Sequence, residues 1–117
     1  MSLHRRNPKR DAAEPAVVDR LEQLGCSVER LSGNKIPDLL GGWRGLTRLV
    51  EVKSDKRPKK RDEHQREWAR QWRGSPIAIV TDPEDATSWL LSLAPHAVRI
   101  EAAKKRHEVT TQELEDA

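Results

Sequence analysis

Residues 37–53 read Pro37-Asp38-Leu39-Leu40-Gly41-Gly42-Trp43-Arg44-Gly45-Leu46-Thr47-Arg48-Leu49-Val50-Glu51-Val52-Lys53, two apolar runs around a glycine-bearing break. Short apolar runs bounded by turn residues predict a β-hairpin, although Arg-Gly is a weaker turn pair than Asn-Gly. With the tightest connection, a two-residue turn at Arg44 and Gly45, Trp43 pairs with Leu46 and Asp38 falls opposite Glu51. Opposed residues of an antiparallel pair project from one face, with Cβ atoms about 4.5–5.5 Å apart. Alternation then puts Lys53 on the face of Glu51. Two acids and a base are therefore expected to converge at the open end of the hairpin. A one-residue slip would turn Asp38 to the opposite face.

Like charges directly opposite one another destabilise a strand pair, so something must offset them. A hard divalent cation does so, because carboxylate and carbonyl oxygens are the ligands Mg²⁺ takes. The plainer alternative is a surface pair of Glu51 and Lys53 on an edge strand, with Asp38 capping a turn.

Outward from the hairpin, Val17, Val18, Leu21 and Leu24 recur at helical spacing and predict a helix over 11–24, with Pro15 in its first turn and Gly25 stopping it. Glu14 shares its apolar stripe. An acid there is either paired or metal-bound, or it completes a capping box with Asp11. Cys26 to Leu31 alternates like a short strand, and Ser32 to Lys35 reads as a turn. After a basic loop over 54–61, residues 62–73 predict a helix with Gln65, Trp68 and Trp72 on one face. The two indoles are expected in the core. Gln65 either touches nucleic acid or water, or caps the helix with Asp62. Ile77 to Val80 reads as an interior β-branched strand, and Thr81 or Asp82 caps a helix running to about Leu91. The order αβββαβα predicts an α/β fold, a mixed sheet of about four strands flanked by helices. Residues 1–10 read as a flexible basic arm, 11–93 as the single domain and 94–117 as a charged extension whose end frays.

The charge is unevenly spread. Of a net +3, residues 1–10 carry +4 and residues 53–61 carry +5, leaving −6 on the rest of the chain. Such clusters suit a polyanion contacted at defined places, or are merely solvated loops. One cysteine, Cys26, excludes an internal disulfide. His4, His64, His96 and His107 are too scattered for zinc. No stretch has the apolar length of a membrane span or signal peptide, so a soluble, cytoplasmic protein without an organic cofactor is expected.

Pro37-Asp38, then Glu51-Val52-Lys53 thirteen residues on, resembles the PD-(D/E)XK nuclease signature. Gly25-Cys26-Ser27-Val28, Leu31-Ser32-Gly33 and Gln65-Arg66-Glu67-Trp68 make the surroundings similar to its virus-type replication-repair (VRR-NUC) branch and to compact phage or prophage nucleases. The charged stretch Arg61-Asp62-Glu63-His64 and the tail beyond Leu93 depart from that pattern. The resemblance, over about residues 11–92, implies a restriction-endonuclease-like core and a Mg²⁺- or Mn²⁺-dependent DNA endonuclease leaving 5′-phosphate ends. It further implies Asp38, Glu51 and the Val52 carbonyl as metal ligands; a second metal has a place only if Glu14 reaches the site. Lys53 would be the catalytic lysine, and Glu14 and Gln65 the helix-borne members of the site. Arg5, Arg6, Lys9, Arg10, Lys56, Arg57, Lys59, Lys60 and Arg61 would grip backbone phosphates. Contacts of that kind read DNA structure rather than sequence. Fold-level analogy adds a homodimer. The rival expectation is a nucleic-acid-binding module that does no chemistry.

Overall fold

The computed structural model describes residues 10–33, 36–55, 63–97 and 108–117. Arg5, Arg6 and Lys9 of the expected arm, Lys56, Arg57, Lys59, Lys60 and Arg61 of the basic loop, and Asp62 lie outside the described residues.

Helix α1 (Glu14–Gln23) begins with Pro15 in its first turn, where the missing N–H has no helical acceptor to lose. It ends in a Schellman arrangement. Gly25, at φ +92°, lets its own N–H reach the Glu22 carbonyl and the Cys26 N–H reach the Leu21 carbonyl, each at 3.0 Å. That turn launches β1 (Ser27–Arg30), followed by β2 (Leu39–Trp43) and β3 (Leu46–Val52). After α2 (Glu63–Gln71) come β4 (Ala78–Val80) and α3 (Pro83–Ser92), whose first turn is capped by Asp82 accepting from the Asp85 N–H at 2.8 Å.

The strands form one mixed sheet in the order β1-β2-β3-β4, antiparallel through the first three and parallel between β3 and β4. The hairpin register is the one its turn dictates. Trp43 pairs with Leu46 and Leu39 with Val50. Arg44 (φ 50°) and Gly45 (φ 81°) both take the positive φ that a two-residue turn of this hand requires. The Arg44 guanidinium lies 4.6 Å from the Trp43 ring centroid, an attraction that offsets part of the cost of a left-handed arginine.

One face of the sheet supplies Leu39, Trp43, Val50, Val52 and Val80 to a core closed by Val17, Val18 and Leu21 of α1 and by Ala86 and Leu90 of α3. The Trp43 indole N–H donates to the Leu24 carbonyl at 3.1 Å and ties the hairpin tip to the end of α1.

Two expectations are corrected. The Ile77–Val80 run does not form an interior strand: β4 is the last strand of the sheet among the described residues, and Ile79 is 56% exposed. Trp68 and Trp72 are not core residues. Their rings stack on each other, centroids 5.0 Å apart, on a helix with no buried residue. Helix α2 is held instead by ion pairs along its surface, Glu63–Arg66 at 2.6 Å and Glu67–Arg70 at 2.7 Å. The charged C-terminal extension carries a short helix α4 (Thr111–Asp116), capped by the Thr110 hydroxyl and with no buried residue. No helix among the described residues is long and apolar enough to cross a membrane.

Candidate active site

The hairpin register extends one step beyond the paired residues to place Asp38 against Glu51. Asp38 sits just ahead of β2 and continues both ladders. Its carbonyl accepts from the Leu31 N–H at 2.8 Å, and its carboxylate Oδ2 accepts from the Val52 N–H at 2.8 Å. One carboxylate oxygen is thereby fixed to the backbone of the strand that carries Glu51. The Val52 side chain points into the core, so Val52 enters the site only through its backbone.

Glu51 is on the opposite face from Val50 and Val52 and is 8% exposed. Its Oε2 pairs with Lys53 Nζ at 3.3 Å, while its Oε1 is buried without a hydrogen-bond partner. Lys53 Nζ also donates to Gln65 Oε1 at 3.2 Å, which brings α2 to the site. Burial pushes the Glu51 carboxyl up to about 7, and the nearby Asp38 adds to the rise against the opposing pull of Lys53 and Gln65. Asp38 is raised for the same leading reason, burial, and held back mainly by its Val52 hydrogen bond.

Glu14 approaches from α1. It is 1% exposed and saturated by arginines. Arg10 Nη1 meets Oε1 at 2.9 Å and Oε2 at 3.1 Å, and Arg30 Nε, from β1, meets Oε2 at 3.1 Å. The same Arg10 nitrogen lies 3.9 Å from Asp38 Oδ1, and Arg10 Nη2 donates to the Leu31 carbonyl. Arg10, placed by sequence in a DNA-gripping arm, is therefore folded against the site. The Asp11–Glu14 capping box does not form. Asp11 instead accepts from the Ala13 N–H at 2.8 Å with one oxygen and from the Ser54 N–H at 2.8 Å with the other, pinning the segment after Lys53 to the start of α1.

Asp38, Glu51, Lys53, Gln65 and Glu14 are thus brought into one cluster. Arg10, expected on DNA phosphates, and Arg30, Asp11 and Ser54, not expected in the site, complete it. A signal existed for two of them. Arg10 stands four residues before Glu14, and Arg30 falls on the core side of β1, the side that α1 covers. Ser54 carries no such signal.

The donor set fits a divalent cation. An ionised carboxylate with one orphaned, buried oxygen beside a second carboxylate is costly unless positive charge sits between them. Among the described residues no three His, Cys, Asp or Glu side chains gather closely enough to cage a metal alone. Mg²⁺ does not need such a cage, since it commonly takes one or two carboxylates and keeps waters for the rest. Comparison of the chain with protein-family models, with curated proteins and with solved structures gives no match, so the geometry of the cluster bears the functional reading.

Proposed function

We propose that this protein is a Mg²⁺- or Mn²⁺-dependent DNA endonuclease with a restriction-endonuclease-like core, acting on branched, flap or junction DNA rather than on a fixed sequence. The observation that carries the reading is the buried Glu51, whose unpartnered Oε1 shares one sheet face with Asp38 and Lys53.

Asp38 and Glu51 would hold the cation, with the Val52 carbonyl beside them. When bound, the cation neutralises phosphoryl oxygens and makes a water acidic enough to attack. The protein's part is to fix where this happens. The Val52 N–H locks Asp38, while Gln65 and Glu51 hold the Lys53 ammonium in place. Lys53 thereby stabilises negative charge as it builds on the phosphate. The water oxygen bonds to phosphorus as the P–O3′ bond breaks, and the water proton ends on O3′. The products carry 5′-phosphate and 3′-hydroxyl ends. The basic segments at 1–10 and 53–61 suit the DNA backbone, and a homodimer would let so small a core span a branched substrate.

The test is incubation of the full chain with labelled duplex, flap and four-way-junction DNA in Mg²⁺, Mn²⁺ or EDTA. Cleavage should require the metal and disappear in Asp38→Ala and Lys53→Met, with DNA binding retained in both. Cleavage that survives EDTA, or is unchanged in Lys53→Met, defeats the mechanism. Binding without cleavage in any metal leaves a nucleic-acid-binding module.

A further inference from the structure

Three carboxylates and three cations meet in this cluster: Glu14, Asp38 and Glu51 against Arg10, Arg30 and Lys53. These six groups form a set that is formally neutral before any metal enters; Asp11, the fourth carboxylate nearby, accepts from the Ala13 and Ser54 N–H groups. Arg10 Nη1 spans two of the acids, 2.9 Å from Glu14 Oε1 and 3.9 Å from Asp38 Oδ1. A guanidinium nitrogen between two carboxylates occupies the position a bridging cation would take. Arg30 Nε shares the Oε2 oxygen with Arg10 at 3.1 Å, so both oxygens of that almost wholly buried carboxylate already carry a guanidinium.

We infer that the site takes a single divalent cation, on Asp38 and Glu51, and that the Arg10–Glu14–Arg30 clamp stands where a second cation would otherwise bind. The inference rests on the reading of Asp38 and Glu51 as ligands and adds the stoichiometry and the role of Arg10 and Arg30 as positioning residues.

Charge supports it. One divalent ion gives the neutral cluster +2, which matches the dianion formed when hydroxide adds to a phosphodiester monoanion. A second ion would bring the cluster to +4 and set one divalent cation against two fixed guanidiniums at contact range. Repulsion of that size in a partly buried site is several kcal/mol even at a high effective dielectric. The clamp also satisfies Glu14 permanently, so the protein need not depend on metal to compensate a carboxylate that is almost wholly buried.

Mn²⁺ titration of the full-length chain, followed by calorimetry and by electron paramagnetic resonance, decides the matter without DNA or turnover. The expected result is one ion per chain and the six-line spectrum of an isolated Mn²⁺. Two ions, or the exchange-broadened spectrum of a pair about 4 Å apart, overturn the inference but leave the Asp38–Glu51 site standing. No binding at all sinks that site and this inference together. In Arg10→Gln/Arg30→Gln the freed Glu14 should admit a second ion, raising the stoichiometry from one to two. A folded double variant that still binds one ion overturns the role given to the clamp. Where the double variant does not fold, the stoichiometry and spectrum of the unsubstituted protein remain decisive.

Discussion

Glu51 pairs poorly with its surroundings when ionised, and that has a sign that can be measured. Its carboxyl titrates near 7 in the folded chain against an ordinary value of 4.5. Between those two pH values the folded state keeps a proton that the unfolded chain has released, so stability falls as pH rises from about 4.5 to about 7. Above 7 the loss is complete, on the order of 3–4 kcal/mol, since each pKa unit corresponds to about 1.4 kcal/mol. A bound cation favours the ionised form and restores that stability. Glu51→Gln should therefore melt higher than the unsubstituted protein at pH 8 without divalent ions, lose the gain towards pH 5 and show no Mg²⁺ response. A melting temperature gap that is flat from pH 5 to 8 contradicts this account of Glu51. That Glu51 would meet Asp38 was legible in the sequence because turn length alone sets hairpin register. The clamp on Glu14 was legible only in part: the four-residue step from Arg10 to Glu14 is a local signal, but the reach of Arg30 to the same carboxylate depends on how α1 docks on the sheet.

The secondary-structure elements divide in the same way. Helix α1 and the hairpin were readable because an apolar period, a stop glycine and a forced turn all agreed. Helix α2 was readable as a helix but not as a surface element: indoles at i and i+4 look the same whether they enter a core or stack on one another. The composition held the clue, since Glu63-His64-Gln65-Arg66-Glu67-Trp68-Ala69-Arg70-Gln71 offers too few apolar residues to seal a core face. Likewise the β-branched tail of β4 suggested an interior strand, but among the described residues β4 ends the sheet and Ile79 is exposed. Two substitutions separate the environments. Trp43→Ala removes a ring that is 7% exposed and joined to Leu24, and should cost about 3 kcal/mol. Trp72→Ala, at a residue 40% exposed, should cost under about 1 kcal/mol in urea unfolding, mostly the lost stacking on Trp68. Equal losses would mean that α2 is buried against a surface the described fold does not give it.

For the molecule as a whole, charge is clustered along the chain rather than spread evenly. A net +3 conceals +4 over residues 1–10 and +5 over residues 53–61, against −6 elsewhere. If those segments meet DNA phosphates, affinity must fall with salt, with the logarithmic slope reduced by about one for each phosphate contact removed. The fold makes a finer statement, because the nine cations grouped by sequence are not equivalent. Arg10 is committed to Glu14, Asp38 and Leu31. Lys60 lies outside the described residues and keeps its sequence-based expectation of meeting phosphate. In the cleavage-dead Asp38→Ala background, Lys60→Ala should weaken duplex binding and lower the salt slope by about one. Arg10→Gln in that background should leave the slope unchanged within about 0.3, because counterions are released only by cations that face phosphate. Fluorescence anisotropy across roughly 50 to 300 mM KCl, about a sixfold change over which phosphate-driven binding weakens by orders of magnitude, measures both slopes. A drop of about one for Arg10→Gln would place its guanidinium on the DNA and so free Glu14, reopening the route to a second metal that the folded arrangement of α1 and β1 otherwise closes.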